Sequence, residues 1–419
     1  MAGMILGAFR HRDFRLFWGG QLVSLIGTWM QSVGQSWLVL ELTGSPLSLG
    51  LVNALQFAPV LVLSPVGGAL SDRMSKRNIL LVTQAVMMVQ ALVLAVLVRA
   101  GHVRYWHVAL LAAIYGLGRA IDIPARQAFI TDLVGRPDLP NAVALNSVVF
   151  NGARIVGPSV AGLLIARFDV AVAFYLNALS FVAVLVALLA MRTQGEPDPA
   201  GQLGLREGML GALTYATGTP AVSFILTLLV VVSLLGLNFN VVVPLIARDV
   251  LHEGAQGFGY LMSALGGGAV VGAGGLALMR TGRPPLAFLA GSAALLCAGV
   301  ACLGLVAHFP VAMVTLAVLG LLQIYFTTSC NTSLQLMTPQ ALRGRVMGLY
   351  AMAFAGVTPF GALLVGTLAE HLGVRAACAI GGSVGALAVG AIMLLSRRRI
   401  APSIPSTPPG PAVPSAPTV

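Results

Sequence analysis

The chain has 419 residues, 58% of them hydrophobic and only 9% charged, with a mean hydropathy of +0.92. A water-soluble domain devotes roughly 25% of its residues to charge, so a soluble fold is excluded. The net charge of +11 would suit nucleic acid if it formed one patch, but it is spread over alternate loops, and no nucleic-acid partner is expected.

The basic N-terminus, residues 1–15, carries Arg10, Arg12 and Arg15 and leads into an uncharged run from Leu16 to Leu40. No small-residue cleavage site separates the two, so this is not read as a removable signal peptide. Further uncharged runs are Leu42–Ser71, Asn78–Val98, Val170–Met191, Gly208–Ala247, Gly254–Met279, Val346–Ala369 and Ala376–Ser396. Each is long enough for a bilayer-spanning helix, which needs about 20 residues. The run Pro284–Leu342 is interrupted at His308-Phe309-Pro310 and reads as two spans, and Tyr105–Ala125 and Asn141–Ala166 add two more. The expected fold is an all-α polytopic membrane protein with twelve spans.

Eighteen of the 24 Lys and Arg fall in the termini and in every second loop, while Arg99, Arg104, Arg167, Arg248 and Arg375 occupy the others. By the positive-inside rule both termini are cytoplasmic, in the inner or plasma membrane, and an even number of spans requires the same. The least hydrophobic internal stretch, Arg192–Glu207, separates a bundle over 16–191 from a second over 217–396, with a linker at 192–216. At a constant offset of 204 residues, Gly116, Leu145, Phe150, Gly152, Gly157 and Gly162 fall on Gly320, Leu349, Phe354, Gly356, Gly361 and Gly366. A parallel duplication of a six-helix unit explains this, and such architecture belongs to secondary transporters. The tail 397–419 turns rich in Pro and is expected to be disordered.

Cys297, Cys302, Cys330 and Cys378 lie inside spans at spacings that fit neither disulfides nor zinc, and no metal or cofactor is expected. No phosphate-binding Gly-x-x-x-x-Gly-Lys loop appears, so ATP is not the expected energy source. No His-Glu-x-x-His set lies within a span and most His sit at span edges, which argues against an intramembrane enzyme. A transport-dead sensor or scaffold should carry a folded soluble domain, and the sequence offers none.

Between spans two and three the sequence reads Gly67-Gly68-Ala69-Leu70-Ser71-Asp72-Arg73-Met74-Ser75-Lys76-Arg77. A basic turn alone would satisfy the positive-inside rule, but it would not explain Gly68 followed four positions later by Asp72. The loop resembles the first signature of the major facilitator superfamily, with Ser75 at a usual glycine. That resemblance implies a helix-packing role for Gly68 and a cytoplasmic latch built on Asp72, Arg73 and Arg77. The equivalent loop, Gly275–Arg283, lacks the acidic residue. Span five carries Gly157-Pro158-Ser159-Val160-Ala161-Gly162, which resembles the signature of the superfamily's antiporters with Ala153 and Ala161 at two glycine positions. A packing kink is the plain alternative; the resemblance implies export.

Asp122-Ile123-Pro124-Ala125-Arg126, Asn151-Gly152-Ala153-Arg154, Arg343-Gly344-Arg345 and the segment Phe9–Phe17 are similar to an exporter subgroup that includes enterobactin and macrolide efflux carriers. Two pseudo-symmetric six-helix bundles are implied, with spans one, four, seven and ten around a central cavity.

Polar residues in spans mark a pathway, because a polar group facing lipid is costly. Gln21, Ser24, Thr28, Gln31 and Gln35 share one face of span one, Tyr325, Thr328, Asn331 and Gln335 recur in span ten, and Asn238 and Asn240 lie in span seven. Interhelical hydrogen bonding without substrate contact is the alternative. Arg119, Asp122, Arg126 and Arg154 are charges within or near spans four and five. Asp122 can meet Arg119, Arg126 or Arg154, in a structural cluster or in proton coupling.

The function expected is secondary active export of a small amphipathic molecule, a siderophore, macrolide or other drug, by alternating access. Proton antiport is the default coupling of the resembling family. The expected partners are the small-molecule substrate, protons and membrane lipid, with the chain acting as a monomer; an uptake carrier of the same fold is the alternative.

Overall fold

The structure, a computed structural model, describes residues 7–197, 205–278 and 284–400. Among the described residues every regular element is helical. The first part comprises α1 (Arg12–Thr43), α2 (Pro46–Arg73), α3 (Lys76–Arg99), α4 (Tyr105–Arg167) and α5 (Ala171–Ala190). After α6 (Leu205–Gly218) come α7 (Pro220–Leu235), α8 (Phe239–Leu245), α9 (Ala255–Leu278), α10 (Leu286–Leu303), α11 (Phe309–Met337), α12 (Gln340–Ala351) and α13 (Thr358–Ile400). The linker expected at 192–216 therefore includes most of a helix. The Pro-rich segment from Ala401 and the loop residues Met279–Arg283 lie outside the described residues.

Nine helical stretches among the described residues are long and apolar enough to cross a membrane. Two local features separate this number from the span count read in the sequence. The α1 helix, diluted by its polar stripe, is not among the nine. The α4 and α13 helices each run through a glycine break, at Gly135 (φ 70°, ψ 170°) and Gly373 (φ 80°, ψ 157°), where the chain reverses almost without a loop. Positive φ suits a residue without Cβ, and Pro137, two residues after Gly135, sits in the first turn of the returning helix, where proline's missing N–H is harmless.

In the first part α1 and α3 each pack on α4 and α5 and α2 packs on α4; in the second, α9 packs on α11, α10 on α11 and α13, and α7 on α13. The two groups meet through α4 against α9 and α2 against α13. The repeat seen in the sequence has a structural counterpart. A Cβ at Gly157 would lie 2.5 Å from Trp29 Cβ on α1, and one at Gly361 would lie 2.7 Å from the Leu234 carbonyl of α7. Likewise Gly162 abuts α9 at the Ala255 carbonyl, and Gly366 abuts α2 at the Pro46 carbonyl, each at 2.9 Å from such a Cβ. Residues an offset of 204 apart thus make equivalent contacts in the two halves.

The start of the interdomain segment is docked rather than loose. Asp13 Oδ2 accepts the Arg192 N–H (2.9 Å), the Thr193 N–H (2.8 Å) and the Thr193 hydroxyl (2.8 Å). Lys76 Nζ donates to the Glu196 carbonyl at 2.7 Å and pairs with Asp132 at 2.9 Å. Partial burial pushes the Asp13 carboxyl up, but the three donors and the neighbouring Arg12 outweigh it and hold it below the usual carboxylate range. A lowered value in the folded state stabilises at neutral pH, and that contribution is lost as pH falls through it. Asp13→Ala should therefore raise amide exchange at Arg192 and Thr193 at neutral pH, whereas the wild-type segment should loosen only under acid conditions below the ordinary carboxylate range. Equal exchange in both proteins would remove the anchoring role.

Candidate functional site

Contacts between the two halves concentrate at the end of the molecule that carries Gly44. A Cβ at Gly259 would stand 2.5 Å from the Pro158 carbonyl, and one at Gly50 2.5 Å from the Ala362 carbonyl, so only glycine lets these backbones approach so closely. Ser263 bridges the same seam, accepting from Ser159 at 2.6 Å and donating to the Ile155 carbonyl at 2.9 Å. Two charged side chains clasp the α1–α2 turn. Arg248 donates to the Leu40 and Gly44 carbonyls at 3.3 and 3.0 Å, where α1 ends. Glu370 accepts the Ser45 hydroxyl at 2.7 Å and the Leu47 N–H at 3.1 Å, where α2 begins, and these bonds hold its carboxyl below the ordinary range. Each charge opposes the sign of the helix terminus it meets.

The Gly135 end is held differently. Arg77 donates to the Leu188 and Leu189 carbonyls at 2.6 and 2.9 Å, capping the last turn of α5, and Arg73 is exposed. Among the described residues the ion pairs here are Lys76–Asp132 at 2.9 Å and Arg12–Asp13 at 3.4 Å, His11 hydrogen-bonds Asp138 at 2.9 Å, and Asp72 belongs to none of these. The packing role assigned to Gly68 falls on its neighbour. A Cβ on Gly67 would stand 2.6 Å from the Ala120 carbonyl, while nothing lies within 4 Å of one on Gly68. The α2 helix turns Gly67 toward α4, which leaves Gly68 on an open face.

The polar stripe of α1 is largely used up inside the first half. Gln21 accepts from Arg126 at 2.6 Å, Gln31 donates to Gln90 at 3.0 Å and accepts from Asn177 at 2.6 Å, and Gln35 donates to Gln56 at 2.8 Å. Ser24 is buried as well, so Thr28 is the one half-buried member of the stripe. The partners Gln56, Gln90 and Asn177 were not singled out in the sequence; their own positions inside uncharged spans were the available signal. In α11, Thr328 and Gln335 are exposed, Asn331 accepts from Gln335 at 2.6 Å, and Tyr325 packs on Phe288 at 5.7 Å between ring centres. Asn238 ends the break between α7 and α8 and donates to the Leu234 carbonyl at 2.8 Å, while Asn240 stays half-buried. Cysteine introduced at Thr28 and Thr328 should therefore react with a water-soluble thiol reagent, in a cysteine-free background, and cysteine at Gln31 should not. Labelling of Gln31Cys as fast as Thr28Cys would contradict the bundle-core position of Gln31.

The intramembrane charges sort themselves unevenly. Asp122, 1% exposed, is paired with Arg126 one turn on and accepts from Gln84 at 2.7 Å and Thr83 at 3.1 Å. Of the three arginines within reach in the sequence, Arg126 takes it, because i,i+4 spacing places both on the face of α4 that meets α1 and α3. Arg119 lies instead over the rings of Phe57 and Tyr115, at 5.7 and 5.8 Å. Arg154 does not meet Asp122; its Nη2 donates to Gln323 of α11 at 2.6 Å, and Trp29 lies 5.9 Å away. A cavity of about 480 Å³ at the Gly44 end, lined by Trp37, Glu41, Glu253, Tyr260 and Phe309, contains none of these residues and is set apart from the polar stripes.

Two pseudo-equivalent helix groups, closed on each other at one end by glycine seams, are the framework of a transporter, and the sequence matches one family over nearly its whole length, residues 4–412. The chain belongs to the transmembrane secretion effector family. It is an integral membrane protein of the major facilitator type and a transporter rather than an enzyme. It is 25% identical to the staphyloferrin A transporter of Staphylococcus aureus, over 86% of this chain and 90% of that one. It is 26% identical to the multidrug efflux pump Tap of Mycolicibacterium fortuitum, covering 84% and 87%. The enterobactin exporter EntS of Shigella flexneri is 26% identical, with 92% of each covered. Among solved structures, a bacterial homologue of the human lysosomal transporter Spinster, inward-facing and unoccupied, superposes with a TM-score of 0.72 at 14% identity, covering 94% of this chain and 98% of that one. A POT family transporter in complex with 5-aminolevulinic acid gives 0.75 at 11% identity, covering 93% and 96%. These two likenesses establish the fold alone.

Proposed function

We propose that this family member is a secondary active exporter of a small amphipathic molecule, working by alternating access as a proton antiporter. The observation that carries the reading is the asymmetry of the seam: glycine contacts, Arg248 and Glu370 close the Gly44 end, while among the described residues Asp72 and Gly68 at the opposite end meet no partner from the second half. In this reading the Gly135 end and both termini are cytoplasmic, the chain has twelve spans in two six-helix bundles over 16–191 and 217–396, and the state is open toward the cytoplasm. Asp72, Arg73, Arg77 and Gly68 then form the latch that engages when that end shuts. Gly157, Pro158 and Gly162 form the pliable seam of the outer end. Thr28, Asn240, Thr328, Asn331 and Gln335 line the pathway between them. The names of the relatives, a staphyloferrin A transporter, a multidrug efflux pump and an enterobactin exporter, support siderophores and drugs as cargo classes.

The test compares cells with and without the protein for extracellular metabolites and for tolerance to a drug panel. Loss of the protein should raise the intracellular level of at least one exported compound, and Asp72→Asn should reach the membrane normally but export more slowly. An unchanged metabolite and tolerance profile on removal, or accumulation of a compound only when the protein is present, would overturn export.

A further inference from the structure

Arg154 is 8% exposed and sits deep in the second limb of α4, about 20 Å from Arg167 at 1.5 Å per residue. An ionised side chain at such depth is normally paired. Among the described residues Asp122 is the one acidic residue buried within the body of a span, and Arg126 holds it. Arg154 forms no ion pair among the described residues; its neighbours are a neutral amide, Gln323, and the face of Trp29. Its Nε–H is buried with no hydrogen-bond partner among the described residues. A guanidinium presents its donors as a fork suited to a carboxylate, and half of the fork is unused here.

Position adds a second argument. Arg154 lies on the seam between the halves: a Cβ on Gly266 of α9 would stand 2.8 Å from its carbonyl. Toward the Gly44 end the seam is closed through Ile155, Ser159 and Gly162. Toward the Gly135 end α4 exposes Phe150, Val148 and Ser147. Arg154 therefore stands where the closed part of the seam gives way to the exposed stretch of α4, with Gln323 hydrogen-bonded to it and the Trp29 ring 5.9 Å away. Arg119, equally without a carboxylate, lies at a similar depth in the first limb, about 20 Å from Tyr105.

We propose that Arg154, flanked by Trp29 and Gln323, is a subsite for an oxyanion of the carboxylate type on the cargo, with an aromatic or apolar body of the cargo resting on Trp29. The inference rests on the transporter reading and narrows its substrate class from amphipathic to anionic amphipathic. The guanidinium fork receives the oxyanion through Nε and an Nη, Gln323 holds the fork in plane while the site is empty, and the missing counter-charge arrives with the cargo.

The test uses the full chain in nanodiscs of neutral phosphatidylcholine and equilibrium dialysis with three probes of one shape: 2-naphthoate, its neutral amide and 2-naphthylmethylammonium. Wild-type protein should bind the carboxylate about tenfold or more tightly than the amide, the difference between charged and neutral hydrogen bonds to one group, and the ammonium most weakly. Arg154→Gln should bring carboxylate and amide within about twofold of each other, with the thermal midpoint monitored to show that the variant is folded. If that variant does not fold, Arg154→Lys keeps the charge without the fork, and the preference should fall severalfold. A wild-type protein that binds the carboxylate no better than the amide, or binds neither, overturns the subsite, as does an undiminished preference in a folded variant. Export lost on gene removal together with absent carboxylate preference would leave the exporter reading standing and remove the anionic cargo alone.

Discussion

Gly268→Ala is expected to destabilise the protein strongly and lower its thermal midpoint, while Gly267→Ala, one residue away, is expected to be neutral or slightly stabilising. A Cβ on Gly268 would fall inside the contact distance of the Ala317 carbonyl, and one on Gly320 inside that of the Leu265 carbonyl, so α9 and α11 touch backbone to backbone. Neither obstacle is a side chain that can swing aside. Two helices must separate along their length to admit one methyl group, and overpacking of this kind costs about 3 kcal/mol or more, a large share of a typical net stability. Around Gly267 nothing lies within 4 Å, and alanine there gains up to about 1 kcal/mol of helix propensity over glycine. Fluorescence-detected size-exclusion and thermal midpoints of the two variants measure the contrast directly. Equal behaviour of the pair would mean that α9 and α11 are not in backbone contact.

Removal of the Asp122 charge is expected to have the next largest effect. Asp122→Asn leaves Arg126 partly buried between α1 and α4 without its counter-charge, facing only neutral amide oxygens such as that of Gln21. Breaking a buried pair from one side costs about 3–5 kcal/mol, because the surviving charge keeps its desolvation penalty without its partner. Arg126 retains some exposure, 20% of its side chain, which places the expected loss at the lower end of that range. The double variant Asp122→Asn/Arg126→Gln should recover part of the lost stability, since no charge is then left behind. Transport in the double variant separates the two roles that the sequence left open: stable protein with normal export would make the cluster structural, and stable protein that binds cargo but does not respond to a proton gradient would assign it to coupling. A double variant less stable than either single would show that the two charges are not each other's partners.

How much was legible in the sequence depends on the range of the interaction. Uncharged runs marked where the chain is buried in lipid, since that constraint acts on each segment separately. They could not show that Gly135 and Gly373 would turn the chain within one residue, because positive φ at a glycine leaves no mark on hydropathy. The offset of 204 residues was visible as a pattern of glycines, and the structure gave it content: Gly157 and Gly361 touch the corresponding helices of their own halves, and Gly162 and Gly366 touch the opposite halves.

The site divides along the same line. Periodicity put Gln21, Ser24, Thr28, Gln31 and Gln35 on one face of α1, and they are on one face. Which direction that face looks is a property of the neighbours, and Gln90, Asn177, Gln56 and Arg126 come from four other places in the chain. A side-chain hydrogen bond is satisfied by whichever donor or acceptor arrives within about 3 Å, and sequence spacing specifies such arrivals only inside a single helix. For that reason Asp122 with Arg126, four residues apart, was among the pairings the sequence itself allowed, whereas Arg154 with Gln323 was not. Hydropathy and residue spacing alone establish that the protein lives in a membrane, that its helices repeat and that positive charge exceeds negative charge within them. Helix packing decides which end of the seam is shut and that Arg154 meets Gln323 and no carboxylate among the described residues, because both are settled by helices meeting across the two halves.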